Sequence, residues 1–299
     1  MRISRLVLLK KTMKNKSFTL IEMLVVIVII GTLAGLIIVS TVSSIENANM
    51  AKSQAFAKNA RSEMMFNILQ NWSFDEGSGA TTYDINDSSN SGTLYNMGTT
   101  AGSGDSGSAG WLSSEYCVSG TCLNFKGDET TAPYVNISDT GTMPLFTLTT
   151  WAYHVVGGDS SSHSILRNYW EIQGMNVCFF SYAFNNDYWR CSTDSKVVYN
   201  KWTYLVTVWD GTYITHYING NLSWKDPSAS GGTSENLYQI AGYSGRKMAG
   251  RLDEMVIYDK NLSVSEIKQN YIAGLDSLLA QGGISQEEYA QNIETLAKK

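Results

Sequence analysis

Glu22 stands inside an apolar run that starts at Phe18 and continues through Ile27-Val28-Ile29-Ile30 to Val39. A carboxylate in hydrocarbon costs roughly 2.5 to 3.5 kcal/mol on insertion scales, so it needs a partner. No Lys, Arg or His lies between Phe18 and Glu46. The chemistry open to Glu22 is therefore an ion pair with an amine that lies outside its own apolar run. A second group, Asp84-Ile85-Asn86-Asp87-Ser88-Ser89-Asn90-Ser91-Gly92, is a run of hard oxygen donors in a glycine-bounded loop. Calcium takes such oxygens. The loop lacks the Glu and central Gly of an EF-hand, and an Asx-rich turn without metal is the other reading. A third group, Tyr188, Trp189 and Arg190 beside Asn185-Asn186-Asp187, offers rings, a guanidinium and amides for sugar stacking or protein contact.

Catalytic constellations are harder to find. Glycoside hydrolysis needs two acids about 5 to 9 Å apart across a cleft, whereas Asp253 and Glu254 are adjacent on a strand and point to opposite faces. His154, His163 and His216 are scattered and join no Ser-His-Asp pattern. No catalytic residue is assigned, and the chain does not read as an enzyme. Trp151, Trp202 and Trp209 sit in strand patterns and read as core.

Four cysteines fall in two local pairs, and four allow three connectivities. Cys117 and Cys122 close a small loop around Gly120, while Cys178 and Cys191 are symmetric about a turn through Ala183-Phe184-Asn185-Asn186. Bridges Cys117–Cys122 and Cys178–Cys191 are expected outside the cytoplasm. The competing zinc reading is disfavoured by both spacings.

These residues must be positioned by three kinds of element. From Phe18 to about Asn71 nothing interrupts a helix except Gly31 and Gly35, which membrane helices tolerate. At ~1.5 Å per residue it would reach roughly 80 Å, with only the first ~30 Å in hydrocarbon. Ile45, Ala48, Ala51, Ala55, Phe56, Phe66 and Leu69 continue the helical spacing, with Lys52, Lys58, Arg61 and Glu63 on the wet side. From Trp72 onward, Leu123-Asn124-Phe125, Tyr134-Val135-Asn136-Ile137 and Phe146 to Tyr153 alternate with period two, Trp202 to Gly211 and Tyr213 to Gly220 form a hairpin pair with Asp210-Gly211 and Asn219-Gly220 as turn signals, and Gly250 to Tyr258 reads as the last strand. Ser263-Val264-Ser265-Glu266 is a capping box. It opens a helical stretch that Gly282-Gly283 divides, with Ser285 capping a second helix. This pair is too short to fold alone and must lean on the head, on the long helix or on another chain.

Arg2, Arg5, Lys10, Lys11, Lys14 and Lys16 precede the apolar run without an acid among them. That bias keeps the N-terminus in the cytoplasm and sends the remainder outward. Met13 offers a second start. The formal net charge is −5, and removing those six leader cations leaves −11. Such an acidic chain is unsuited to electrostatic nucleic-acid binding.

The stretch Lys16-Ser17-Phe18-Thr19-Leu20-Ile21-Glu22-Met23-Leu24-Val25-Val26 resembles the N-terminus of type IV prepilins and pseudopilins. The resemblance covers roughly Lys14 to Leu69. It implies cleavage by prepilin peptidase between Ser17 and Phe18, N-methylation of Phe18 and a role for Glu22 in assembly. This sequence has Ser17 where the family usually has Gly before the cut. Farther on, Trp72-Ser73-Phe74-Asp75-Glu76-Gly77-Ser78-Gly79, Cys122-Leu123-Asn124-Phe125, the Trp202-to-Asn221 hairpin and Leu252-Asp253-Glu254-Met255-Val256-Ile257-Tyr258 resemble laminin G-like, concanavalin A-like jelly rolls. This second resemblance spans about 72 to 270 and implies two facing antiparallel sheets with the first and last strands adjacent. It also brings the Asp84 loop near the Asp253 strand, which makes Asp84, Asn86, Asp87 and Asp253 the candidate calcium ligands.

The expected architecture is α+β: a prepilin leader over 1–17, a transmembrane and stalk helix over 18–71, an antiparallel β-sandwich over 72–262 and a C-terminal helical hairpin over 263–299. The expected function is that of a type IV pilin-like filament subunit whose head serves adhesion or glycan or protein recognition. Its partners would be other pilin subunits, prepilin peptidase, the assembly machinery and the membrane. Its place would be the inner membrane and then a surface filament. The alternatives are a type II secretion pseudopilin and a membrane-tethered carbohydrate-active enzyme.

Overall fold

The computed structural model describes residues 20–33, 67–126, 132–138, 140–141, 143–155, 162–166, 170–173, 178–181, 197–225, 239–241 and 248–297. The chain divides into two compact units, Met1–Gln54 and Ala55–Lys299. In the first unit, residues 20–33 form helix α1. Its apolar side chains are exposed, Leu20 at 84% and Ile21 at 70%. An exposed apolar surface of that extent marks an interaction surface. Among the described residues no helix is long and apolar enough to cross a membrane, and the rest of the expected stalk, together with Ser17 and Phe18, lies outside them.

The second unit is a sandwich of two antiparallel sheets. Its first strand, β1 (Ile68–Trp72), corrects one boundary: the stretch expected to end the stalk helix at Asn71 is a strand over its last residues. Ile68 and Leu69 fit a helical stripe, but Gln70 and Trp72 are the buried positions, which is the period of a strand. β1 pairs antiparallel with β15 (Gly250–Tyr258), from Ile68 opposite Tyr258 to Trp72 opposite Met255. The first and last strands are thus adjacent.

The first sheet runs β13 (Asn221–Lys225), β12 (Ile214–Ile218), β11 (Trp202–Trp209), β7 (Phe146–His154), β15, β5 (Cys122–Phe125), β4 (Gly110–Leu112), with β1 added on β15. The second runs β10 (Cys178–Ser181), β9 (Trp170–Gln173), β8 (Ser162–Leu166), β14 (Gln239–Ile240), β6 (Tyr134–Asn136), β3 (Ser91–Tyr95), β2 (Thr81–Tyr83). Between the sheets, Trp72, Phe74, Trp111, Phe125, Leu148 and Trp209 are almost wholly buried in one core. The turn between β12 and β13 places Asn219 and Gly220 at φ 51° and 73°, the pair of positive angles that a two-residue hairpin of matching twist demands.

The outer face of the first sheet is covered by helices α2 (Val264–Ala280) and α3 (Gln286–Ala297). Trp151, Tyr204, Val206 and Val256 from the strands pack with Ile267, Tyr271, Leu275 and Leu296 from the helices in a second core. This explains why β7 and β11 are buried at nearly every position, while β3 alternates. A strand covered on both faces loses its polar side. α2 starts with the full capping box: Ser263 accepts from the Glu266 backbone N–H, and the Glu266 side chain accepts from Ser263 N at 2.7 Å. Lys260 pairs with Glu266 at 2.5 Å. In α3, Ser285 Oγ accepts from Glu288 N at 3.1 Å. The helical pair leans on the head.

Candidate functional site

Asp253 organises one end of the first sheet. Its side chain is fully buried, and Oδ2 accepts from Val118 N at 2.8 Å and Ser119 N at 3.1 Å. Oδ1 accepts from Glu254 N at 2.9 Å. Val118 and Ser119 belong to the small loop closed by the Cys117–Cys122 disulfide. Burial, and after it the neighbouring Glu254 charge, pushes the Asp253 carboxyl well above the usual range, while the Ser119 and Val118 N–H groups pull it back.

The next residue is where β15 departs from regularity. The pairing with β7 slips between Asp253 and Val256, and Glu254 has φ 49°. A non-glycine residue in the left-handed region of a strand marks a bulge, and bulges re-aim side chains. Here the bulge puts Glu254 at the wall of a cleft of about 300 Å³ between the outer sheet face and α2. Asn71, Asn86, Ser119, Asn270 and Ser277 supply further polar groups, and Trp151 supplies an aromatic wall. Asn71 Oδ1 is buried there with no hydrogen-bond partner among the described residues. A half-open cleft with amides, hydroxyls and one carboxylate can take a hydroxyl-rich ligand. The cleft was not foreseen from the sequence. Its one local signal is the Asp253-Glu254 pair, two acids inside a strand that is otherwise apolar apart from Gly250 and Arg251.

Two stretches of the chain match known families. Residues 12–38 match the prokaryotic N-terminal methylation motif. Residues 129–268 match the concanavalin A-like lectin/glucanases superfamily, as a laminin G domain. The chain joins a prokaryotic methylation motif to a concanavalin A-like head. No curated protein matches the chain. Among solved structures, its head is similar to domain 4 of AbnA, a GH43 extracellular arabinanase from Geobacillus stearothermophilus, in complex with arabinotriose. That match has 15% identity and a TM-score of 0.47, covering 68% of this chain and 97% of that one. The binding domain of Paraclostridial Mosquitocidal Protein 1 matches at 12% identity and TM-score 0.47, over 71% of this chain and 53% of that one. A Trypanosoma rangeli sialidase matches at 12% and 0.46, over 68% and 32%.

The structure distributes the expected site residues widely. Glu22 lies on α1 and is exposed. Cys117 and Cys122 are bridged. The Cys178 backbone lies in β10, while Cys191, Tyr188, Trp189 and Arg190 fall outside the described residues. Among the described residues, the carboxylates of the calcium ligands expected from Asp84, Asn86, Asp87 and Asp253 do not form a group within 4.8 Å of one another. Asp253 instead groups with Cys117 and Cys122, whose sulfurs are committed to the disulfide. Asp84 Oδ1 accepts from Asn71 N at 3.1 Å and Asn86 N at 2.9 Å, which ties the loop to β1. Asp87 Oδ1 accepts from Ser89 N and Oγ at 2.9 and 2.6 Å, an Asx turn. Of the tryptophans, Trp209 is in the inner core, Trp151 lies under the helices and Trp202 is half-buried.

Proposed function

We propose that this protein is a type IV pilin-like filament subunit that displays its concanavalin A-like head for adhesion, through recognition of glycans or proteins. The observation that carries the reading is the order of the two matched stretches, a methylation motif followed by a lectin-like domain in one chain. The exposed apolar surface of α1 agrees with it, since such a helix must be covered by lipid before assembly and by neighbouring helices afterwards. In this reading prepilin peptidase cuts before Phe18 and methylates it, and Glu22 pairs with the Phe18 amine of a neighbouring subunit. The head passes to the cell surface.

The head reads as a binding module rather than a hydrolase. Asp253, the acid next to Glu254, is sealed in the sheet and saturated by backbone N–H groups. Paired-carboxylate chemistry needs both acids at the substrate.

The test has two arms. Intact-mass analysis of the mature protein, made in cells with prepilin peptidase, should give an N-methylated Phe18 terminus, and a product that keeps Lys16 overturns the processing. Immunogold labelling of the head should decorate surface filaments. Label confined to the cell envelope instead assigns the chain to a secretion pseudopilus.

A further inference from the structure

One row of side chains crosses the outer face of the first sheet beside the helices. Strand register sets Trp202 opposite Tyr153, Tyr153 opposite Arg251, Arg251 opposite Asn124, and Asn124 opposite Gly110. Directly paired residues share a face, so an indole, a phenol, a guanidinium and an amide stand side by side across β11, β7, β15 and β5. The row ends at Gly110, where a side chain would collide with Ser103 Oγ at 2.3 Å.

Arg251 is the centre of this row. Its guanidinium carbon lies 4.3 Å from the Tyr153 ring centroid and 5.2 Å from that of Tyr116. Its Nη1 donates to Tyr116 O at 3.1 Å. Among the described residues it pairs with no carboxylate; the ion pairs there are Lys201–Glu288 and Lys260–Glu266. A half-buried guanidinium without an anion is costly, and two aromatic faces offset only part of that cost. Desolvation lowers its pKa, against the pull of Tyr153, Tyr116 and Asp105, and a guanidinium remains charged regardless.

The surroundings form an open groove of about 300 Å³, lined from β4, β5, β15 and the glycine-rich loop 101–110. Lys126 adds a second cation at its wall, and Asp105 is the acid there. Both Asp105 oxygens are turned to Ser113, accepting from its N at 2.9 Å and its Oγ at 2.6 Å. In a chain of net charge −5, this groove holds two cations against one acid. Asn124 Nδ2 donates to Ser108 O at 2.7 Å and so fixes the loop that forms the far wall. Four of the five guanidinium N–H donors stay available after the bond to Tyr116, and their planar fork matches a carboxylate.

We propose that this groove binds the carboxylate of an acidic sugar residue, with Arg251 as the clamp, Lys126 as the second cation and the Tyr116 ring as a stacking surface for the sugar. The assignment rests on the reading of the head as a recognition module and deepens it: the ligand class is a carboxylated glycan rather than a neutral one.

The full-length protein in detergent micelles is tested against immobilised oligogalacturonate and sialyllactose, with carboxyl-reduced oligogalacturonate and lactose as neutral counterparts. The acidic forms should bind at least about tenfold more tightly, as expected for charge-assisted hydrogen bonds. Arg251→Gln should abolish that preference, and Lys126→Gln, at an exposed position, should weaken acidic-sugar binding about threefold. Arg251→Lys keeps the charge without the fork and should fall between wild type and Arg251→Gln, which guards against loss of folding in the latter. Equal binding of acidic and neutral sugars by the wild type overturns the site, as does acid preference undiminished in Arg251→Lys and Lys126→Gln. Neutral-sugar binding that ignores Arg251→Gln removes this site but leaves the lectin reading standing. Failure to bind any sugar removes both. Capture of a polyglutamate peptide through Arg251, without any sugar, replaces the glycan by a protein partner and overturns the assignment.

Discussion

Gly274 lies flat against the indole of Trp151: a Cβ on Gly274 would stand 2.2 Å from Trp151 Cζ2. A glycine inside a helix costs about 1 kcal/mol relative to alanine. Here the absence of a side chain lets α2 settle onto the sheet. Trp151 then stacks on Tyr271 at 5.6 Å between centroids, and Tyr204 on the same ring at 6.2 Å.

Gly274→Ala should therefore destabilise the head although it improves helix propensity. Overpacking a core of this kind costs about 1 to 3 kcal/mol. Urea unfolding of the full chain should show a lower midpoint, and tryptophan emission should move to the red as Trp151 is lifted from its cover. An unchanged or raised midpoint would mean that the indole moves aside freely.

Asp253→Asn should cost about 1 to 3 kcal/mol, because an amide NH2 must face one of the backbone donors that the carboxylate now satisfies. The pH dependence has a defined sign. Asp253 binds its proton in the folded head well above the ordinary carboxylate value, which is about 3.9 in an unfolded chain. Its contribution is thus fully present below the unfolded value and lost as pH rises through the folded one. Midpoints measured across that window should fall with rising pH in the wild type and flatten in Asp253→Asn.

Opening the Cys117–Cys122 bridge should loosen the donors that hold Asp253. A double Cys→Ser variant should lose about 2 kcal/mol of stability. Hydrogen exchange at the Val118 and Ser119 amides should accelerate more than at the central strand β7. Exchange that rises equally everywhere would show that the bridge acts on the whole head rather than on this loop.

Glu22→Leu should leave the head folded, with Cys117–Cys122 still oxidised, and sharply reduce incorporation into filaments beside wild-type subunits. Removing one member of a buried charge pair costs several kcal/mol because the other is left uncompensated. Normal incorporation would reduce Glu22 to a determinant of processing.

Much of the fold was legible because local chemistry and tertiary structure agree. Ser263 and Glu266 announce α2, and Asn219-Gly220 announces the β12–β13 turn. The alternation around Val135 announces a strand, and the Cys117–Cys122 spacing announces a closed loop. The placement of the helical pair was less legible: Thr147, Thr149 and Thr150 in β7 and Thr203 and Thr207 in β11 read as polar positions although they are buried, and Gly274 inside a helix was an unread sign of close approach. The β1 boundary was misread because Leu69 continues the helical spacing of the stalk, although it stands exposed in a strand whose buried positions are Gln70 and Trp72. The bulge at Glu254 could not be read, since it arises from one extra residue on β15 against β7, a property of pairing rather than of local sequence. The calcium reading rested on composition alone, which does not show that Asp84 Oδ1 holds Asn71 N of β1, Asp87 its own turn and Asp253 the disulfide loop.

The adjacency of β1 and β15 gives the head a mechanical direction. Any pull through the chain before Ile68 enters at the end of β1 that faces Tyr258, while a ligand held at Arg251 would load β15 from its opposite end. The two strands are then drawn past each other along their axes, so the hydrogen bonds between them share the load at once instead of opening singly. β15 is itself flanked by β7 and β5 within the sheet, which spreads the tension sideways before it reaches the core. A tether built this way resists traction along its length far better than it resists peeling.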